Sequence, residues 1–297
     1  MNSSLENTPI PSFKADCALP LAHGIPLIAV NAMICVFGTL GNVMVCLAVF
    51  INPRLRRSSN YLLFSLAIAD LIVTLVCEPL LLKIFSKRTF FEDCSTAHLN
   101  FPYMILSSIS CSASVAHLAA ISVDRLIAVC FPLRHKTRMN KCGLTTMLVI
   151  SWVYSISVTV LTFVLPKSIP RGLLVGILYG LCVLIIVLSY LIILAFVFYQ
   201  KRKRNKLKGR PSSSEMSSRM EVRITCTLAI VIGVFTVCWV PVIAALFAAV
   251  IKFDGPTFMW LFTLAFSNSA MNFWIYTARI PDFRDVYAKI RRKVFWL

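Results

Sequence analysis

Charge is scarce in this sequence. Only 14% of its 297 residues are charged, just 12 of them Asp or Glu, while 58% are hydrophobic and the mean hydropathy is +0.81. A soluble domain with that balance would aggregate, so the composition points to a polytopic membrane protein. Clustered histidine is missing as well. His23, His98, His117 and His135 are scattered, which leaves no His/Asp/Glu set for a membrane metalloenzyme. No internal repeat is evident, against an inverted-repeat transporter. A relay of ionisable groups is absent too, because only Asp70 and Glu78 lie well inside apolar runs, about two turns apart on one of them. Residues 1–25 carry Pro9, Pro11, Lys14, Asp16 and Pro20 without an apolar h-region, so the first apolar run is expected to direct insertion itself.

Seven long apolar runs fill the space left by charge. They lie at about 26–51, 60–83, 99–130, 143–165, 172–199, 223–250 and 256–278, each long enough to cross roughly 30 Å of hydrocarbon. The runs are continuous rather than alternating, which selects helices over barrel strands. The expected fold is an all-α seven-transmembrane helix bundle over 26–278. It follows an extracellular segment, 1–25, and precedes a cytoplasmic piece, 279–297.

Orientation follows from where the basic residues sit. Arg54, Arg56 and Arg57 follow the first run; Arg134, Lys136, Arg138 and Lys141 follow the third; Lys201 to Arg223 join the fifth to the sixth; Arg279 to Lys293 form the tail. The positive-inside rule makes that face cytoplasmic and the N-terminus extracellular. Anionic lipid is the natural partner of such charge. Nucleic acid is not implied, since the charge is split over four short segments, and the resemblance of Lys201–Arg210 to a nuclear address is the lesser reading.

The connections are mostly short, with Pro53 after the first run and Pro166 and Pro170 bracketing the second outer loop. The long 200–222 segment sets Ser212, Ser213, Ser214, Ser217 and Ser218 among basic residues. It reads equally as a phosphorylatable segment or as a solvated linker. After the seventh run, Phe283, Val286, Tyr287 and Ile290 recur at helical spacing among charges, the pattern of an amphipathic helix lying in the interface. Asn2-Ser3-Ser4 is a glycosylation sequon.

Polar residues inside the runs carry the functional signal. Asn42, Asp70, Ser114, Asn268, Ser269 and Asn272 lie mid-span in four different runs. A lone intramembrane carboxylate needs hydrogen bonds, a cation or a proton; a purely structural polar network remains the alternative. Asp124-Arg125 ends the third run and Glu221 opens the sixth. Adjacent opposite charges at the membrane edge, with a second acid on another helix, describe a breakable latch better than an active site.

These positions fall into ordered motifs: Gly41-Asn42, the segment from Ser65 to Asp70, Asp124-Arg125 with Ile127-Ala128-Val129 and Pro132-Leu133-Arg134, Trp152, Tyr190, Cys238-Trp239-Val240-Pro241, Asn272 to Tyr276, and Phe283. Along essentially its whole length the chain resembles the rhodopsin-like (class A) G-protein-coupled receptors. The resemblance implies a plasma-membrane receptor, not an enzyme, that binds an extracellular ligand in the bundle and activates a heterotrimeric G protein as helix six moves outward. It implies no cofactor other than an allosteric sodium ion at Asp70, Ser114, Asn268, Ser269 and Asn272. It makes Trp239 with Phe235 a switch beneath the ligand, ordinary aromatic packing being the alternative, and gives Pro241 the helix kink. It has Arg125 held at rest by Asp124 and Glu221, with Tyr190 and Tyr276 moving in on activation and Arg125 and Leu133 touching the G protein. Such a bistable element, biased from both ends, is what coupling two sites requires.

The departures are specific. Leu126 replaces the family's usual tyrosine, Phe273 its usual proline, and the fifth run lacks proline. Asn100 stands where a cysteine is usual and the second outer loop has no cysteine. Cys17 and Cys94 remain on the oxidising side, where a Cys17–Cys94 disulfide and two free thiols are both open. These absences loosely resemble the melanocortin, lipid and cannabinoid receptor grouping, but Asn100 and Met104 are not the calcium-binding acids of melanocortin receptors. Ser107 in place of the amine receptors' aspartate disfavours a biogenic amine, and a seventh run without lysine excludes an opsin. The ligand is thus left as peptide, lipid or small molecule, an amine-like molecule being an alternative. Pocket candidates are Glu78, Ser107, Ser108, Cys111, Trp239, Leu246 and Phe266. Glu78 could instead snorkel outward or pair with Lys83 or His98. His117 reads as a packing hydrogen bonder. The tail after Arg279 has no Ser, Thr or Cys, so arrestin would have to use the 200–222 loop. A membrane transporter is the alternative of a different class.

Overall fold

In a computed structural model, the structure describes residues 18–56, 58–93, 95–138, 141–166, 171–206, 230, 233–245, 247, 255–279 and 281–295, except for the side chains of 272–279 and of several other helix-end residues. Helices are the only regular elements among them. They are α1 (Leu21–Ile51), α2 (Ser58–Ile72), α3 (Glu78–Phe90), α4 (Ala97–Cys130), α5 (Pro132–Arg138), α6 (Lys141–Val164), α7 (Arg171–Lys206), α8 (Gly233–Ala245), α9 (Pro256–Arg279) and α10 (Pro281–Phe295). A five-residue π-helical segment, Val73–Cys77, joins α2 to α3 in one continuous span. Five described helices are long and apolar enough to cross a membrane: α1, the α2–α3 span, α4, α6 and α7. α9 occupies the seventh expected run, and of the sixth only α8 and two single residues are described.

Hydrocarbon inverts the usual pattern of a helix face. In α1 the large side chains Met33, Val36, Phe37 and Leu40 are exposed, while Asn31, Gly38, Gly41 and Asn42 are buried. Backbone bonds close within each helix, so the remaining polar atoms turn inward toward one another. α4 lies deepest: its buried residues run from Leu99 to Ala128, and α2, α6 and α7 pack around it. α1 packs against α2, α3 and α9.

Two helices run on beyond their expected ends. The second span continues to Phe90 because Lys83, Lys87 and Arg88 interrupt hydropathy without interrupting the helix, and Ile84, Phe85 and Thr89 keep one face buried. α7 likewise carries its basic residues as far as Lys206. Charge ends an apolar run; it does not end a helix.

The π segment answers to Pro79. A helix-interior proline lacks an N–H and crowds the carbonyl four residues earlier. Here Glu78 N–H bonds to Val73 O, five residues back, so the turn before the proline is widened. Cys35 Sγ donates to the Thr74 carbonyl across the helix pair at 3.1 Å. Close approach at this point needs Gly38, since a Cβ there would lie 2.5 Å from Thr74 Cγ2 and 3.4 Å from the Ala270 backbone.

At the end of the bundle that carries the basic loops, α10 buries Phe283, Val286 and Tyr287 and exposes Arg284, Asp285 and Lys289, with the Phe283 and Tyr287 rings 5.9 Å apart. This is the expected amphipathic eighth helix of the bundle, packed on α9 and α1.

Gly38→Val should destabilise the chain by about 1–3 kcal/mol through overpacking against Thr74 and Ala270. Thermal unfolding of the purified protein in detergent checks this; an unchanged midpoint would count against so tight an approach of α1 to the π segment and α9.

Candidate functional site

Three acids lie on the inner faces of the bundle, and each meets a different degree of compensation. Asp124, at the basic end, is fully buried. Arg125 Nε donates to Asp124 Oδ2 at 2.9 Å, with Nη2 converging on the same oxygen. His135 Nε2 donates to Asp124 Oδ1 at 2.9 Å. That histidine is delivered by α5, a short helix opening on Pro132, whose fixed φ suits a first helical position. Glu221 lies outside the described residues.

Asp70 lies mid-bundle and is fully buried. Its Oδ1 accepts from Ser114 Oγ at 3.1 Å and from Ser269 Oγ at 2.8 Å. Asn42 Nδ2 donates to the Gly38 and Ser269 carbonyls at 2.9 and 2.8 Å, tying α1 to α9 beside it. The amide oxygens of Asn42 and Asn268 are buried without a hydrogen-bond partner among the described residues. The Asn272 side chain lies outside those residues, so the set expected from sequence is brought together at Asp70, Ser114 and Ser269, with Asn268 next in sequence. Among the described residues no group of three His, Cys, Asp or Glu could hold a metal. Hydroxyl and amide oxygens around one carboxylate do suit a hard monovalent cation, and the two orphan oxygens fit that use.

Toward the opposite end Glu78 is 0% exposed, and neither carboxylate oxygen has a hydrogen-bond partner among the described residues. Snorkelling outward and pairing with Lys83 or His98 are both overturned: Lys83 and His98 are exposed while Glu78 is sealed inside. The π turn sets this direction, placing Cys77 and Glu78 inward and Leu75 and Val76 outward. The Tyr103 hydroxyl and the Cys35, Cys77 and Cys111 thiols lie within electrostatic reach of Glu78. The Tyr103 ring meets Phe266 edge-on at 6.4 Å.

Below lies an aromatic stack. Phe235 stacks on Trp239 at 5.8 Å, and Trp239 meets Tyr179 edge-on at 5.4 Å. Tyr179 Oη and Ser112 Oγ are 2.9 Å apart, linking α7 to α4. Pro241 follows within α8. Of the pocket candidates, Cys111, Trp239 and Phe266 are buried, and Ser107 bonds to its own helix at Met104 O. Ser108 faces α6 instead, 3.0 Å from Thr159 Oγ1. Leu246 lies outside the described residues, as do Cys17, Cys94, Asn2 and the Tyr276 side chain. Tyr190 is buried on α7, and Leu133 is 80% exposed on α5.

The family model "7 transmembrane receptor (rhodopsin family)" matches residues 41–172 and 171–276. The chain belongs to that family. Similar proteins include adenosine receptor A2a of Homo sapiens, 29% identical over 92% of this chain and 74% of that receptor. The histamine H2 receptor of Homo sapiens is 29% identical over 92% of this chain and 81% of that receptor, and that of Rattus norvegicus is 30% identical over 84% and 75%. The protein is therefore a G-protein-coupled receptor and not an enzyme. It crosses the plasma membrane seven times and works between an extracellular ligand and a G protein.

Some of the receptor's site was missed in sequence. His135 comes eleven residues after Asp124 with no periodic signal, because α5 alone brings it back. Tyr103 was findable: Tyr103, Ser107 and Cys111 recur every fourth residue and share a face. The expected packing role of His117 has explicit form. Ala113 O can only accept, so His117 Nδ1 donates to it at 2.7 Å; Nε2 then accepts from Ser65 Oγ at 2.8 Å, and Trp152 Nε1 donates to that hydroxyl at 3.1 Å.

Ser65→Ala would strand the Trp152 and His117 nitrogens in the bundle, at a cost of about 1–3 kcal/mol. The expected result is a lower thermal midpoint with the protein still folded; an equal midpoint would mean the three-helix network contributes nothing.

Proposed function

We propose that the receptor binds a small-molecule ligand between α3, α4, α8 and α9 and transmits its presence to the Asp124–Arg125 pair. The observation that carries this reading is the fully buried Asp124 carboxylate, held by Arg125 and His135 where the basic loops meet the bundle. A buried ion pair is a two-state element. Breaking it is costly unless the freed charge finds new partners, so it stays closed until something replaces Asp124. The ligand contacts are assigned to Glu78, Ser107, Cys111, Trp239 and Phe266, with Ser108 and Leu246 at the margins. Displacement of Trp239 over Phe235 then moves the helix around Pro241 outward, Arg125 leaves Asp124 and Glu221, Tyr190 and Tyr276 close in, and the G protein engages Arg125 and Leu133. Relatives named for adenosine and histamine support a small molecule over a peptide.

The N-terminus is assigned to the outside and the basic loops to the cytoplasm, where anionic lipid meets them. A Cys17–Cys94 disulfide, glycan at Asn2 and arrestin docking on the 200–222 serines belong to the same proposal. So does a sodium ion held by Asp70, Ser114, Asn268, Ser269 and Asn272. It would add positive charge beside the Asp70 carboxylate and favour the resting state.

Guanine-nucleotide exchange, measured with the reconstituted receptor and a set of purified heterotrimeric G proteins, tests the function. Stimulated exchange on at least one is expected; none with any, together with measurable solute flux, would replace the receptor by a transporter. Asp70→Asn should abolish the sodium dependence of that exchange. A variant whose exchange still falls with sodium as the wild type's does would remove the ion site.

A further inference from the structure

Glu78 is the one buried acid for which the described chain supplies no partner. Asp124 has the Arg125 guanidinium and the His135 imidazole, and Asp70 has two hydroxyls. Glu78 has zero exposure and two carboxylate oxygens without a hydrogen bond among the described residues. Lys83 and His98 are exposed, and Arg88 lies ten residues along the same helix, about 15 Å away on its axis. An acid removed from water with neither counter-charge nor hydrogen bond is costly for a fold to hold, whether it stays ionised or takes up a proton. Residues kept in such states mark sites completed by something from outside.

The surroundings say what would complete it. The Tyr103 hydroxyl and the Cys35, Cys77 and Cys111 thiols are the described titratable groups within its electrostatic reach, and none is a cation. The Tyr103 ring leads to Phe266, and Phe266 to Phe262 with centroids 6.0 Å apart. A carboxylate at the head of a run of aromatic rings offers an organic ammonium two attractions at once. The carboxylate takes the N–H bonds, and the ring faces take the diffuse positive charge. A small hydrated inorganic ion would find oxygen ligands too few here; an alkylammonium bearing an aromatic or apolar group would fill both parts. The π turn and Pro79 make this geometry deliberate, since they turn Glu78 off the lipid face on which Leu75 and Val76 lie.

We propose that Glu78 is the counter-ion for a cationic ligand, an arylalkylammonium whose positive group pairs with the carboxylate and lies against Tyr103 and Phe266. This deepens the receptor reading above and rests on it for the consequence of binding, but not for binding itself. The acid lies about twelve residues from the end of α3 at Phe90, roughly 18 Å along the axis. The ligand therefore enters from the end opposite the basic loops.

The test uses the purified full chain in detergent, with thermal stabilisation as the binding readout and G-protein nucleotide exchange as a separate one. The probes are a panel of arylalkylammonium ions, phenethylammonium and histamine among them, each beside its neutral alcohol isostere. At least one ammonium should stabilise the wild type while its alcohol does not. Glu78→Gln should weaken that binding about tenfold or more, and without any probe it should unfold at a temperature no lower than wild type, because it replaces a buried acid that has no hydrogen-bond partner among the described residues. Phe266→Leu, which leaves the carboxylate in place, should also weaken the ammonium relative to the alcohol. No stabilisation by any ammonium at millimolar concentration, equal stabilisation by the alcohols, or unchanged binding to Glu78→Gln would each overturn the assignment. Ammonium binding without nucleotide exchange would uphold this site and sink the receptor mechanism; exchange without ammonium binding would do the reverse.

Discussion

Hydrocarbon gives a polar atom nothing to bond with, so each one carried into this bundle must be answered from within it or from a bound partner. The arrangement of the three inward acids follows from that constraint. Compensation thins along the bundle: Asp124 is enclosed by Arg125 and His135, Asp70 is met by two hydroxyls beside orphan amide oxygens, and Glu78 has no described partner. A site the chain completes for itself is a lock; one left incomplete is a receptor site in the literal sense. The order from complete to incomplete runs from the basic end toward the opposite one, the order a device needs if it is closed within and addressed from outside.

One helix touches all three. α4 supplies Arg125 beside Asp124, Ser114 to Asp70, and Tyr103 and Cys111 near Glu78. Tyr103 and Asp124 are 21 residues apart, roughly 31 Å of continuous helix. A rigid element of that length, packed on α2, α6 and α7, does not stretch, so an event at one end is felt at the other as a tilt or rotation of its neighbours. The Ser65–His117–Trp152 network pins α4 to α2 and α6, and the Ser112–Tyr179 bond ties it to α7, leaving the α8 side, with Trp239, as the face that can give.

Architecture was legible in the sequence because lipid writes it in large letters. Seven apolar runs predicted seven spans, and family membership bears them out; the alternation of Phe283, Val286 and Tyr287 with charges marked α10. The Asp70 neighbourhood was legible because polar residues mid-span are so few. What stayed hidden depends on phase and on folding back. Hydropathy has no phase, so the π turn at Val73–Cys77 left no mark, and with it went the true direction of Glu78, which sequence allowed to snorkel or pair with Lys83. The continuation of the second span to Phe90 was lost for a related reason, since Lys87 and Arg88 lower the hydropathy of a helix they do not end. His135 was invisible because α5 is too short to carry a periodic pattern.

The central claim is that the Asp124–Arg125 pair holds the resting state and that its release is coupled to outward movement of the sixth span. Spin labels at Cys130 and Cys226, in a full-length chain whose other reactive cysteines are replaced, report that movement as a distance distribution. A longer distance should become populated when nucleotide-free G protein is added, and the same longer distance should be present without ligand or G protein in Asp124→Asn. A distribution that G protein lengthens but Asp124→Asn leaves at the resting value would contradict the latch, and one that neither changes would contradict the outward movement itself.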